Sequence, residues 1–219
     1  MKVEIPTANV TPGTVVVIVK ADGTEEVIKT SVPTENGVVV FLSDGATVKV
    51  VDNSKSFVDV PANHWAANAV SFCSARELFL GTAKDTFNPN SSMTRAMMMT
   101  VLARFDGEDT SGSDTWYQKG MGWAVANGIS DGSNPSGNIT REQLAVMLWR
   151  YAGEPATIDR ELHFNDADKA SGYALDALYW AVGNGIINGK GNGILDPGSP
   201  ATRAEVAQML KNYLNATLS

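Results

Sequence analysis

Arg95-Ala-Met-Met-Met-Thr-Val-Leu-Ala-Arg-Phe105 decides the fold, because the chain uses this stretch three times. Residues 141–151 (Arg-Glu-Gln-Leu-Ala-Val-Met-Leu-Trp-Arg-Tyr) and 203–213 (Arg-Ala-Glu-Val-Ala-Gln-Met-Leu-Lys-Asn-Tyr) align with it without a gap. In the first copy Met98, Val101, Leu102 and Phe105 are spaced i, i+3, i+4, i+7. Leu144, Met147, Leu148 and Tyr151, then Val206, Met209, Leu210 and Tyr213, repeat that stripe. The spacing predicts three helices over about 94–106, 140–152 and 202–214, each with one apolar face to bury.

Outward from these helices the register holds. Trp65, Trp116 and Tyr173 are equivalent, as are Phe72, Trp123 and Trp180. Leu78, Ile129 and Ile186 follow, then Gly81, Gly132 and Gly189. These positions predict a first helix in each repeat, over about 64–80, 115–128 and 172–184, with the glycines in helix-exit turns. Phe72, Trp123 and Trp180 lie mid-helix and read as core. Repeats one and three also open with Phe-x-Asp, at Phe57/Asp59 and Phe164/Asp166, and carry Phe87-Asn88-Pro89 and Leu195-Asp196-Pro197. The second repeat lacks the Phe-x-Asp and is shorter between its glycine and its Thr-Arg. Self-similarity of this kind means that function is read from the unit.

Each second helix begins with Thr-Arg, at Thr94-Arg95, Thr140-Arg141 and Thr202-Arg203. Thr94, Thr140 and Thr202 read as N-caps, and Glu205 and Gln143 complete capping boxes in repeats three and two. The arginine is not explained by capping, because a cation at the first helical position opposes the helix dipole. Two readings follow. Helix-terminal amides plus a guanidinium make an anion site, or each arginine pairs with an acid of a neighbouring repeat.

Phe-x-Asp, then Trp, a helix ending in Gly-Ile/Leu-x-x-Gly, Phe-x-Pro and Thr-Arg-Ala-Glu together resemble the S-layer homology (SLH) repeat. Three copies, over about 57–106, 107–152 and 163–214, resemble that family's usual set. The resemblance implies an all-α pseudo-threefold domain over 56–219, with one helix per repeat in a central three-helix bundle and grooves between repeats. It also implies non-covalent anchoring at the bacterial cell surface, through an anionic, often pyruvylated, secondary cell-wall polysaccharide. It favours ligand contact by Arg95, Arg141 and Arg203. Around them it marks Trp65, Trp116, Tyr173, Asp59, Asp166, Gly81, Gly132 and Gly189 for carbohydrate. Only repeat three keeps Thr202-Arg203-Ala204-Glu205 whole, so Arg203 is expected to contribute most. Two alternatives to anchoring are a protein–protein assembly module of a surface layer and the wall-binding part of a cell-wall-active enzyme.

Residues 1–55 read differently. The runs Val15–Lys20, Glu26–Thr30, Gly37–Leu42 and Thr47–Val51, with turns at Asp22-Gly23 and Asp44-Gly45, predict two hairpins. Val3–Ile5 reads as a further edge strand. The whole is therefore expected to be α+β: a small β module, or the end of a larger β domain, followed by the repeats. Nothing in residues 1–52 recurs, so they are expected to be dispensable for wall binding.

Composition excludes other classes. A net charge of −7 argues against nucleic acid as partner. No apolar run approaches a membrane span. The start, Met-Lys-Val-Glu-Ile-Pro, has no signal-peptide core, so an exported protein with this sequence is expected to be a piece of a longer one. Cys73 stands alone among apolar helical positions and reads as a buried structural thiol. Asn188-Gly-Lys-Gly-Asn-Gly193 looks like a calcium loop but has Ser199 where a bidentate Glu is needed. No metal, cofactor or catalytic constellation is expected, and the module is expected to be a monomer without enzyme activity.

Overall fold

The computed structural model describes residues 1–218, with six strands and six α-helices among them, an α+β chain. It divides into two compact units: Met1–Pro89 with Thr217 and Leu218, and Asn90–Ala216. The division does not fall near residue 55. The first helix of repeat one goes with the strands.

In the first unit the strands are β1 (Lys2–Pro6), β2 (Thr14–Val19), β3 (Glu25–Val27), β4 (Val32–Pro33), β5 (Gly37–Phe41) and β6 (Val48–Asp52). They form two three-stranded sheets ordered β1-β5-β4 and β3-β2-β6, all antiparallel. The Asp22-Gly23 turn closes β2 on β3 as a hairpin, with Val17 opposite Val27. The second expected hairpin is not formed. Strand β5 has β1 on one edge and β4 on the other, so β6 crosses at Asp44-Gly45 to the open edge of β2.

The unbroken valine run of β2 suits a strand buried on both faces. Val16 packs with Val38 and Val40. Val15 and Val17 face the other way, onto Ala75 of α1 (Ala67–Ala75). Arg76 follows that helix and is 0% exposed. Its guanidinium donates to the carbonyls of Ser31 (2.7 Å), Phe72 (2.8 Å), Pro12 (3.1 Å) and Thr14 (3.1 Å). It also lies 3.6 Å above the Phe72 ring. Burial pushes its pKa down to about 9, which leaves it charged at neutral pH. Four carbonyl dipoles and the negative end of α1 hold that charge in place of a carboxylate. Cys73 is buried beside this cluster.

The second unit holds α2 (Arg95–Phe105), α3 (Gln118–Ala126), α4 (Arg141–Tyr151), α5 (Leu175–Gly183) and α6 (Arg203–Leu218), which runs on past the expected 214 into the first unit's residues. Rings at the ends of three apolar stripes meet: Phe105–Tyr151 at 5.4 Å, Phe105–Tyr213 at 6.2 Å and Tyr151–Tyr213 at 6.1 Å. At the opposite ends of these helices the backbone closes a ring. Met93 N donates to Ala201 O, Ala201 N to Ile139 O and Ile139 N to Met93 O, each at 2.9 Å. All three residues are fully buried.

The helix exits correct one expectation. The left-handed residue that ends α1, α3 and α5 is Glu77, Gly128 or Gly185, four residues before Gly81, Gly132 and Gly189, and of those three only Gly132 is left-handed as well. Amides of Leu78, Ile129 and Ile186 reach back to Cys73, Ala124 and Ala181 carbonyls, closing Schellman motifs. The later glycines answer to space: a Cβ on Gly189 would come 2.6 Å from Ile194 O and 2.7 Å from the Phe164 ring.

Candidate functional site

The caps come first, because they aim the arginines. Thr94, Thr140 and Thr202 hydroxyls accept from the amides of Met97 (3.2 Å), Gln143 (3.3 Å) and Glu205 (3.3 Å). Gln143 and Glu205 reach back to the amides of Thr140 (3.2 Å) and Thr202 (2.8 Å). Each arginine then follows a fixed backbone. Arg95 and Arg141 amides donate to carbonyls of the next repeat's loop, Gly137 and Ser199, and Arg203 N donates to Ser91 O.

The side chains differ. Arg141 is 2% exposed and donates to Leu195 O (2.9 Å), Asn188 O (2.8 Å) and Glu205 Oε1 (3.2 Å). Lys190 stands beside the same Glu205 oxygen at 3.5 Å and bonds Asp196 at 2.8 Å. Burial lowers the Arg141 pKa, opposed by Glu205. The carboxylate that caps repeat three therefore also neutralises the arginine of repeat two. Arg203 is 7% exposed.

Arg95 is more open. It donates to Ser133 O (2.9 Å), Ser130 Oγ (3.2 Å) and Asp131 Oδ1 (2.7 Å), and that aspartate is itself exposed. The Ser133 hydroxyl and amide hold the Asp131 carboxyl below its usual range, with Arg95 adding to them. Arg95 lines a groove of about 450 Å³ together with Ser130, Asp131, Gln143, Arg150 and Tyr173. The Tyr173 hydroxyl donates to Glu142 Oε1 (3.2 Å), and Glu142 also takes the Ser171 amide (2.9 Å) and hydroxyl (2.8 Å). Burial and Glu142 push the Tyr173 phenol up, so the ring stays neutral while its face remains exposed.

The other expected residues are placed as follows. Trp65 and Trp116 are 60% and 53% exposed, and neither lines the Arg95 groove. Gly132 sits in the Ser130–Ser133 loop of that groove with φ 71°. Asp59 accepts the Phe87 and Asn88 amides at 2.9 and 2.6 Å. Asp166 accepts those of Leu195 and Asp196 at 2.8 and 2.9 Å. Both carboxylates thus clamp a turn of their own repeat, Phe87-Asn88-Pro89 or Leu195-Asp196-Pro197. Arg150 and Glu142 were not singled out from the sequence, and Gln143 was read only as a cap and not as a groove residue. An arginine late in a helix reads as a dipole partner, and nothing local shows that it faces a groove.

Residues 56–97, 108–145 and 163–207 match the family model of the S-layer homology domain. The chain belongs to the S-layer homology family. It is 28% identical over 191 residues to an endoglucanase of Bacillus sp. (strain KSM-635), which covers 80% of this chain and 20% of that protein. An amylopullulanase of Thermoanaerobacterium thermosulfurigenes is 30% identical over 179 residues, 73% of this chain and 10% of that one. The S-layer protein sap of Bacillus anthracis is 27% identical over 188 residues, 76% of this chain and 22% of that protein. The chain thus spans about a fifth or less of the first two relatives' lengths. The family and its S-layer relatives place it outside the cell, at the surface. Among the described residues no helix is long and apolar enough to cross a membrane.

Proposed function

We infer that the chain is a non-covalent anchoring module holding a larger extracellular protein to an anionic secondary cell-wall polysaccharide. Its relatives include two polysaccharide-degrading enzymes and several S-layer proteins, so the shared part supplies attachment rather than any one catalysis. The module itself is no enzyme and works as a monomer. Helices α2, α4 and α6 serve as its central three-helix bundle around a pseudo-threefold axis. The ring of backbone bonds at 93, 139 and 201 and the Phe105–Tyr151–Tyr213 triangle support that arrangement.

One observation carries the choice of groove. Glu205 neutralises Arg141, whereas the residue at the same motif position facing Arg95 is the uncharged Gln143. Arg95 is left with one exposed aspartate, and Arg150 lines the same groove. A carboxylate such as a pyruvate ketal would take the Arg95 guanidinium, with the sugar ring against Tyr173. Among the three arginines this favours Arg95, not the Arg203 that motif completeness suggests.

Titration with purified ketal-bearing wall polysaccharide tests this. Arg95→Ala should weaken binding roughly 10- to 150-fold, the loss of one charge-assisted contact of roughly 1.5–3 kcal/mol. Gln143→Glu should weaken it comparably by supplying a competing carboxylate, with capping kept. Removing ketals by mild acid should erase the difference between variants. Unchanged affinity in both variants would remove the Arg95 groove from this reading.

A further inference from the structure

We propose that the outer face of α3 is a second carbohydrate subsite, in which a neutral, β-linked pyranose of gluco configuration stacks on Trp123. The position is set apart from its equivalents. Phe72 is 0% and Trp180 6% exposed, while Trp123 is only partly buried. Its indole Nε1 donates to Asp106 Oδ2 at 3.2 Å, and the ring lies 6.1 Å from that of Tyr151, so the platform is held at its edge with a face left over. That face floors a shallow cavity of about 620 Å³ rimmed by Glu108, Asp109, Lys119 and Asn127.

The helix is built to leave this face bare. Helix α3 approaches α2 through Gly120, where a Cβ would come 2.7 Å from Thr100 Cα. Gly122, on the other side, has no such reason: a Cβ there would meet nothing within 4 Å, and its φ is not left-handed. A glycine inside a helix is the costliest choice short of proline. Lys119, Gly122, Trp123 and Ala126 fall at i, i+3, i+4 and i+7, so the small residues lie beside the indole along one stripe. A sugar ring with equatorial hydroxyls offers a flat C–H face to such an indole. Its hydroxyls point outward to the rim, where two carboxylates accept and Lys119 donates. Lys119 and Asp109 are only loosely paired, at 3.6 Å, so both can exchange that contact for a hydroxyl. Two acids against one lysine disfavour an anionic sugar, which separates this face from the Arg95 groove.

The indole N–H signals of the five tryptophans in a proton–nitrogen correlation spectrum test the proposal on the whole chain, with Trp123→Phe assigning the peak. Millimolar cellotetraose or chitotetraose should shift the Trp123 signal, their relative strength telling a plain from an N-acetylated chain, and maltotetraose should shift it less. Gly122→Leu fills open space, keeps the helix and should weaken the response by about tenfold or more. Arg95→Ala should leave it intact. The proposal is overturned if neither β-linked chain moves the Trp123 signal, if maltotetraose moves it equally, or if Gly122→Leu responds as the wild type does.

Discussion

Glu77 sits at φ 58° where repeats two and three use Gly128 and Gly185. Its backbone does the same work, closing a Schellman turn, but its Cβ is strained there while the side chain points into solvent. Glu77→Gly should therefore stabilise the protein by about 1 kcal/mol, read as a raised melting temperature or denaturant midpoint. Asp166 gives a pH signature. The Leu195 amide, more than that of Asp196, holds its carboxyl below the ordinary 3.8 in the folded chain. Its contribution is then complete above that value and fades as pH falls through the lower folded one. The melting difference between wild type and Asp166→Asn should be constant near neutrality and close below about pH 3.8. A gap that persists in strong acid would show that the clamp does not act through its charge. At this scale sequence reading served the caps well, because Thr202 and Glu205 are three residues apart. Pairing of an arginine with an acid of a neighbouring repeat was one of its two readings, but it could not see that the acid holding Arg141 is the cap residue Glu205, since the fold brings that partner from the next repeat.

At the scale of elements, the strands and α1 are one packing problem. Val15 and Val17 lie on Ala75, Asn53 Nδ2 donates to Ala75 O at 2.6 Å, and Arg76 is enclosed by carbonyls from both sides. Arg76→Ala should leave Ser31 and Thr14 carbonyls without that donor in a dry site and cost roughly 3–5 kcal/mol. Removing residues 1–52 should expose α1 and lower the melting temperature, so the expectation that they are dispensable applies to contact with polymer and not to folding. A truncated chain that melts as the full one does would refute this. The helices were legible because a stripe at i, i+3, i+4, i+7 is a local pattern. Sheet pairing was not: Gly37–Phe41 and Val48–Asp52 alternate equally well as a hairpin or as strands of separate sheets, and β1 settles it by taking an edge of β5. The burial of Arg76 was invisible for a similar reason, as an arginine at a helix end ordinarily reaches water.

Across the whole molecule the repeats are tied in a circle rather than a line. Each contributes one amide and one carbonyl to the ring at Met93, Ile139 and Ala201, and one ring to the aromatic triangle. Deleting residues 160–219 removes a member from both and strips Glu205 from buried Arg141. That fragment should lose its sharp melting transition and its amide protection from hydrogen exchange throughout repeats one and two. An undiminished, cooperative transition would mean that two repeats suffice.

The closed ring also constrains how such a chain can change by gene duplication. In a linear solenoid a copy can be gained or lost at little cost, since each unit meets only its neighbours. Here a fourth copy finds no vacant donor or acceptor at the ring, and a lost one leaves a buried amide and a buried carbonyl without mates. New binding capacity must therefore come from substitution inside a fixed set of three, or from joining whole triplets end to end.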